Sequence, residues 1–189
     1  SAGVSEVEME HRVIDSETAE LGPLDGISGV IVGGSSLNIS GPGAYSEYQQ
    51  HVHEVLAELV EADVPVLLVC FGLSWLVHNA GGEVGNSHAE DSGPTTVCLT
   101  DAGRQDALLG ASPETFTALT GHTENPESVP AELELLATAP TGAVQAVRYK
   151  DHVWATQFHA EMDAPAMHTR MDFYHDYGYF PAEEYARIV

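Results

Sequence analysis

Residues 65–75, which read PVLLVCFGLSW, decide the fold. The run from Val66 to Val69 is wholly apolar, as expected of a central parallel strand that is covered on both faces. Phe71 to Ala80 is predicted to form a helix ending near Gly81-Gly82, because glycine commonly ends helices. Cys70 therefore stands between a buried strand and the first turn of a helix. This order predicts an α/β domain with a nucleophile elbow.

The residues before this segment predict two strands and one long helix. Val7 to Ile14 alternates in polarity, and Gly29 to Val32 is a short apolar run closed by Gly33-Gly34, which predicts a buried strand that enters a loop. From Tyr45 to Ala62 the apolar residues recur at helical spacing with polar residues between them, which predicts an amphipathic helix.

The residues after it are predicted to be rich in strands. Five segments combine strand-forming residues with flanking turn residues: Thr95–Leu99, Thr115–Leu119, Leu133–Thr138, Val144–Tyr149 and Val153–Gln157. Two final helices are predicted at Ala166–Tyr177 and Ala182–Ile188. We therefore expect a three-layer α/β sandwich with a mixed, mostly parallel central sheet.

Length and composition predict one soluble domain. The chain has 189 residues and no run approaching the roughly 18 apolar residues that a membrane-spanning helix needs. Its first ten residues, SAGVSEVEME, lack a secretory signal, so a cytoplasmic location is expected. The net charge of -23 would repel phosphate backbones and anionic lipids, so we expect neither nucleic acid nor membrane as a partner.

A reactive thiol is the chemical feature of interest. The two cysteines, Cys70 and Cys98, are too few for a disulfide framework and lack the paired spacing of a zinc site. The helix that begins after Cys70 directs its dipole and first N–H groups toward the sulfur, which favours the thiolate. The backbone N–H of Phe71 and a second N–H from the Gly33-Gly34 loop would supply an oxyanion hole.

A general base is expected after the last strand. Residues 157–161 read QFHAE, and His159 and Glu161 stand two positions apart, so their side chains can project the same way. His159 would then act as base with Glu161 as its orienting partner.

Three separated segments together resemble the class I, or triad, glutamine amidotransferases, in particular members similar to the amidotransferase domain of GMP synthase. The segments are VIVGGS at 30–35, CFG at 70–72 and ATQFHAE at 155–161. A fourth, GHTE at 121–124, resembles the family's histidine segment near the substrate. The resemblance spans about Val30 to Phe180.

The resemblance implies a flavodoxin-like amidotransferase fold and hydrolysis of the side-chain amide of glutamine without a cofactor. In this reading ammonia passes to a synthetase domain or subunit. The resemblance also implies the roles of the site residues: Cys70 is the nucleophile, His159 the base and acid, Glu161 the orienting partner, Gly34 and Phe71 the oxyanion donors, and Gly33, Ser74 and His122 the substrate contacts. No metal is implied.

The chain departs from the family pattern at several positions. Leu68 stands where the family has glycine, Ser74 where many members have a glutamine that contacts the substrate, and Ala160 where proline is usual. The family also opens with a strand and a helix that nothing here matches. We therefore expect residues 1–189 to form a single amidotransferase-like domain that is incomplete at its N-terminus.

Three alternatives stay open at this point. In the first, Cys70, His122, His159 and Glu161 converge on a metal ion. In the second, the chain is a related cysteine hydrolase of the same superfold, although the QFHAE order argues against that class. In the third, it is a non-catalytic or regulatory module, in view of Leu68 and Ser74. The remaining histidines are expected to serve surface or packing roles.

Overall fold

The computed structural model describes residues 8–41, 46–163, 165, 166 and 169. Its helices are α1 Glu47–Glu61, α2 Phe71–Asn79 and α3 Asp101–Gln105. Its strands are β1 Val30–Val32, β2 Val66–Val69, β3 Val84–Gly85, β4 Glu90–Leu99, β5 Thr115–His122, β6 Asn125–Pro126, β7 Leu133–Thr138, β8 Val144–Tyr149 and β9 Val153–Thr156.

Seven of these strands form one mixed sheet in the order β1-β2-β9-β8-β7-β4-β5. The pairings β1–β2 and β2–β9 are parallel, whereas the other four are antiparallel. β3 and β6 make a separate two-stranded antiparallel ladder. The sheet is mixed as predicted, but the prediction that it is mostly parallel is wrong. Among the described strands, β1, β2 and β9 form the parallel part, and the pairs β9–β8, β8–β7, β7–β4 and β4–β5 are antiparallel. Short connections favour antiparallel pairing in β7–β8 and β8–β9.

The sheet carries an apolar cluster on each face, as a three-layer sandwich requires. On one face α1 and α2 pack on Val147, Val153 and Ala155. On the other, Ala102 of α3 packs in a cluster with Ala146 and Phe158. Neighbouring residues of β8 and β9 enter opposite clusters because side chains alternate along a strand. The three-layer prediction is confirmed.

Local signals in the sequence account for α1. The side chain of Ser46 accepts a hydrogen bond from the backbone N–H of Gln49, which caps the first turn. The apolar face of α1 is buried and consists of Val55, Leu56, Leu59 and Val60. The helix ends at Glu61 because the chain turns to an extended conformation at Ala62.

Most predicted elements are confirmed, with shifts at their ends. Strand β4 begins at Glu90 and β5 continues to His122, so both are longer than predicted. The strand predicted at Val7–Ile14 is wrong, since residues 8–14 form no strand and the Val13 side chain is 71% exposed. The sequence analysis did not predict helix α3 or the β3–β6 ladder. The predicted helices at Ala166–Tyr177 and Ala182–Ile188 lie almost wholly outside the described residues.

Strand β1 is the outer strand of the sheet as described. It pairs with β2 along Val30–Val32 and Val66–Leu68, and Ile31 is 54% exposed. The prediction of a strand here is confirmed, but its expected burial is not, because β1 has a neighbour on one side alone among the described strands. Within the described residues, no helix combines the length and apolar character needed to cross a bilayer.

Leu68 and Gly72 form a complementary pair beneath the elbow. The Leu68 side chain is fully buried, and a Cβ added to Gly72 would lie 2.6 Å from the Leu68 Cβ. Among described residues other than glycine, positive φ angles occur at Cys70 and Lys150 and not at Leu68. The departure from the family's glycine is therefore accommodated by a regular strand residue that packs on a glycine of α2.

We expect Gly72→Ala to lower the free energy of unfolding by about 1–3 kcal/mol, because the new methyl overpacks the contact with Leu68. This net cost already includes the opposing gain of up to about 1 kcal/mol in helix propensity. The measurement is urea unfolding followed by circular dichroism.

Gly33→Ala is the matched control, since a Cβ there would meet nothing within 4 Å. In a Leu68→Gly background the added cost of Gly72→Ala should shrink. Equal stabilities of Gly72→Ala and Gly33→Ala would contradict the packing argument.

Candidate active site

Cys70 occupies a sharp turn between β2 and α2. Its backbone has φ 55° and ψ -100°, an unusual conformation for a residue other than glycine, and it serves as the N-cap of α2. Its backbone N–H donates to the carbonyl of Thr156 at 2.7 Å, which continues the parallel ladder by one residue. The strained turn brings the buried thiol to the edge of the sheet, as the elbow prediction requires.

Gly34 brings the loop after β1 against both Cys70 and His159. A Cβ built on Gly34 would lie 2.8 Å from Cε1 and 3.6 Å from Nε2 of His159, and 3.3 Å from the Cβ of Cys70. Three segments that are distant in sequence therefore meet around one point. A side chain on Gly34 would fill the space between the thiol-bearing residue and the imidazole ring.

His159 is held on both its backbone and its ring. Its N–H donates to the carbonyl of Leu119 at 2.8 Å, and its Nδ1 lies 2.5 Å from Oε1 of Glu161. The His159 side chain is 1% exposed, whereas that of Glu161 is 35% exposed. A short imidazole–carboxylate contact fixes the ring and leaves Nε2 as the nitrogen nearer the point shared with Cys70 and Gly34. The predicted role of Glu161 in orienting His159 stays a prediction.

A cleft of about 370 Å³ opens beside the elbow. Its walls include four of the predicted site residues, which are Cys70, Phe71, Ser74 and His122. Ser74 lies one helical turn after Cys70 and is buried. Gly33 does not line this cleft, and a Cβ on it would meet nothing within 4 Å. The chemical roles assigned to these residues stay predictions.

Glu90 is a residue of the cleft that the sequence reasoning missed. Its Oε2 lies 2.9 Å from Nε2 of His122 and accepts from Gln145 Nε2 at 2.6 Å, while its Oε1 accepts from the Thr95 hydroxyl at 2.5 Å. Burial alone would raise the pKa of Glu90, but the hydrogen bonds from His122, Thr95 and Gln145 outweigh it and the pKa lies below its ordinary value. Polar residues at the start of a strand-forming segment carried too weak a signal to reveal this pairing.

Glu124 is a second residue of the cleft that the sequence analysis missed, and its hydrogen bonds connect the loop after β1 to the cleft. Its Oε2 accepts from the backbone N–H of Ile39 at 2.6 Å, and its Oε1 accepts from the backbone N–H of Ser40 at 2.9 Å and from the Ser40 hydroxyl. The carbonyl of the same residue lies 2.9 Å from Nδ1 of His122. Glu124 thus connects the Gly34 loop to the His122 segment, a link across 84 residues that no local pattern could indicate.

The metal alternative lacks geometric support within residues 8–41 and 46–163. No group of three or more His, Cys, Asp and Glu side chains there is arranged to hold a metal ion. Instead His122 pairs with Glu90 and His159 pairs with Glu161. Each predicted histidine therefore has a carboxylate partner of its own.

His53 has a packing role, as expected for the remaining histidines. Its ring lies against Phe71 and Trp75, with centroids 6.2 and 6.5 Å apart. Burial, followed by the charge of His78, lowers the pKa of His53. The neutral ring is therefore favoured near neutral pH.

We expect Glu90→Gln to lower the free energy of unfolding at pH 7 by about 1–3 kcal/mol, because a charge-assisted network is lost. The pKa of Glu90 is lower in the folded protein than its ordinary value of 4.5. Its stabilising contribution is therefore present above about pH 4.5 and lost as the pH falls through the folded value. The deficit of the variant should accordingly shrink below pH 4.5 in thermal unfolding experiments.

Glu54→Gln, which removes an exposed carboxylate from α1, is the control for a simple change of net charge. A Glu90→Gln deficit that stayed constant from pH 7 to pH 3 would contradict the assigned network.

We expect Glu124→Ala to release the loop at residues 37–40. The backbone N–H groups of Ile39 and Ser40 would lose their carboxylate partner, so their hydrogen exchange should accelerate at least tenfold. The measurement is amide hydrogen exchange resolved by NMR.

Glu127→Ala is the matched control, because this nearby carboxylate accepts from the backbone N–H of Ser87 instead. Unchanged exchange at Ile39 and Ser40 in Glu124→Ala would show that the loop is held by other contacts.

Known proteins and a known protein family are similar to this chain in sequence. The family model described as glutamine amidotransferase class-I matches residues 4–174. The GMP synthase [glutamine-hydrolyzing] of Streptococcus pneumoniae (strain CGSP14) is 26% identical over 156 residues, which are 80% of this chain and 27% of that protein. The chain thus spans about a quarter of the length of this curated relative.

Solved structures share the fold. A glutamine amidotransferase from Thermotoga maritima has a TM-score of 0.71 at 19% identity, covering 83% of this chain and 66% of the other. A glutamine amido transferase from Methylobacillus flagellatus has a TM-score of 0.57 at 20% identity, covering 67% and 50%. With the family model matching most of its length, the chain belongs to the class-I glutamine amidotransferase family.

Proposed function

We propose that the chain is a glutaminase: it hydrolyses the side-chain amide of glutamine through a cysteine thioester and supplies the ammonia to a synthetase partner. The observation that carries the proposal is the meeting of Cys70, Gly34 and His159 around one point, with Glu161 on the far nitrogen of the imidazole. Acyl transfer needs a nucleophile, a base and oxyanion donors in one place, and these residues supply that set.

In the first half-reaction the Cys70 thiolate attacks the carboxamide carbon of glutamine. The negative charge that develops on the oxygen is stabilised by the backbone N–H groups of Phe71 and Gly34. His159 donates a proton to the departing nitrogen, so ammonia leaves and a thioester to Cys70 forms. Glu161 orients the ring and stabilises its protonated form.

In the second half-reaction His159 accepts a proton from water, which attacks the thioester carbon. The carbon–sulfur bond breaks, glutamate leaves and the thiolate of Cys70 is restored. No electrons are exchanged and no cofactor is required. The reaction consumes glutamine and water and yields glutamate and ammonia.

We assign substrate contacts to Ser74, His122 and Gly33. Ser74 and His122 line the cleft beside Cys70, which supports a role in holding the body of glutamine. The hydroxyl of Ser74 is shorter than the glutamine side chain of many family members, so its hydrogen bonds would reach less far. Gly33 would contribute backbone groups from the loop after β1.

The acceptor of the ammonia is proposed to be a synthetase domain or subunit. The curated relative is a GMP synthase in which the matched region makes up 27% of the length, and this supports a separate ammonia-using unit. We propose that residues 1–189 are a single amidotransferase domain, a view supported by a family match that runs from residue 4 to residue 174.

Cys70→Ala should abolish release of glutamate and ammonia from glutamine, a loss of at least about 10³-fold, because no other nucleophile is proposed. The thiol of Cys70 should also react covalently with an electrophilic glutamine analogue. The measurements are a coupled glutamate assay and mass spectrometry of the labelled peptide, with and without the synthetase partner.

Cys98→Ser is the matched control and should retain both activities, since Cys98 lies on β4 outside the residues that line the cleft. Full activity of Cys70→Ala would eliminate the proposed mechanism. If the wild-type protein neither hydrolyses glutamine nor reacts with the analogue even with the partner, the non-catalytic module is favoured.

A further inference from the structure

A chain of buried amides leads from the backbone of β8 to the thiol of Cys70. Asn125 and Gln157 are both fully buried. Asn125 lies 2.8 and 2.9 Å from the backbone N and O of Val144, and its side-chain nitrogen lies 3.0 Å from Gln157 Oε1. The nitrogen of the Gln157 amide lies 3.6 Å from the sulfur of Cys70.

The orientation of both amides follows from the backbone of Val144. The N–H of Val144 donates to Oδ1 of Asn125, and its carbonyl accepts from Nδ2, so the Asn125 amide is locked in one of its two orientations. Its Nδ2 then donates to Gln157, which must present its oxygen. The Gln157 nitrogen is thereby directed at Cys70 as a donor.

We propose that Gln157 is a positioning residue that donates a hydrogen bond to the thiolate of Cys70 and so stabilises the ionised nucleophile, with Asn125 holding it in place. The inference rests on the proposed role of Cys70 and deepens it. An amide does not titrate, so Gln157 would remain a donor at every pH at which the protein is folded.

The charged groups around the thiol make such a donor useful. Four acidic or basic residues line the same cleft as Cys70: Glu90, Asp91, His122 and Glu124. His159 approaches from the segment after β9 and carries Glu161 on its other nitrogen. Three carboxylates in one cleft disfavour a nearby anion. The N–H groups at the start of α2 and the Gln157 amide oppose that effect.

The test compares Gln157→Met with wild-type protein. Methionine nearly conserves volume but has no N–H to donate. The rate of alkylation of Cys70 by iodoacetamide is measured from pH 5 to pH 10 by mass spectrometry of the Cys70 peptide. We expect the midpoint of the profile to rise by roughly one pH unit. Iodoacetamide requires no turnover, so a failure of this inference is distinguishable from a failure of the proposed function.

Gln145→Met is the matched control, because Gln145 is equally buried and its amide donates to Glu90 instead of Cys70. Alkylation of Cys98 in the same samples is the internal reference. A midpoint that moves in Gln157→Met alone supports the inference. A midpoint that stays at the wild-type value, or that moves equally in Gln145→Met, overturns it.

A second measurement on wild-type protein covers the case in which Gln157→Met does not fold. The side-chain amide resonances of Gln157 should shift through the same midpoint as the alkylation profile of Cys70. This shift should vanish in Cys70→Ala. Side-chain amide resonances of Gln157 whose chemical shifts do not change as Cys70 titrates would overturn the inference.

Discussion

The parallel pairing of β2 with β9 is the interaction on which the rest of the site depends. Val66 to Val69 lie in register with Val153 to Thr156, and the N–H of Cys70 continues the ladder onto the carbonyl of Thr156. Parallel strands end at the same edge of a sheet, so the residues that follow each strand are delivered to one place. The elbow after β2 and the Gln157–Glu161 segment after β9 therefore meet although more than 80 residues separate them in sequence.

Close backbone approaches at two glycines make this meeting possible. Because Gly34 has no side chain, the loop after β1 comes within contact distance of Cys70 and His159. Because Gly72 has none, the first turn of α2 packs closely on Leu68. The strain at the elbow is carried by Cys70 itself, which adopts a positive φ. The neighbouring ladder and the buried start of α2 hold that conformation because both would have to break for it to relax.

Two carboxylates of the cleft, Glu90 and Glu124, are held by several hydrogen bonds each. Glu90 receives three hydrogen bonds and Glu124 receives backbone donors from the loop after β1, so both carboxylates are satisfied where burial would otherwise penalise their charge. These contacts connect β4, the segment at the end of β5 and the loop after β1 along one wall of the cleft. Side chains held in place by hydrogen bonds suit a site whose chemistry depends on donors in fixed positions.

The sequence alone determined the elements nearest the chemistry. Val66–Val69 and Phe71–Asn79 were predicted almost to the residue, because a wholly apolar strand and a helix ended by glycines are local signals. The QFHAE segment likewise indicated the His159–Glu161 pair, since two side chains two positions apart face the same way. Tertiary structure alone decided the rest: the antiparallel half of the sheet, the absence of a strand at residues 8–14, and the partners of Glu90, Glu124 and Gln157. Those features arise from pairing and packing between distant segments, and a distant contact leaves no periodicity in the sequence from which it could be inferred.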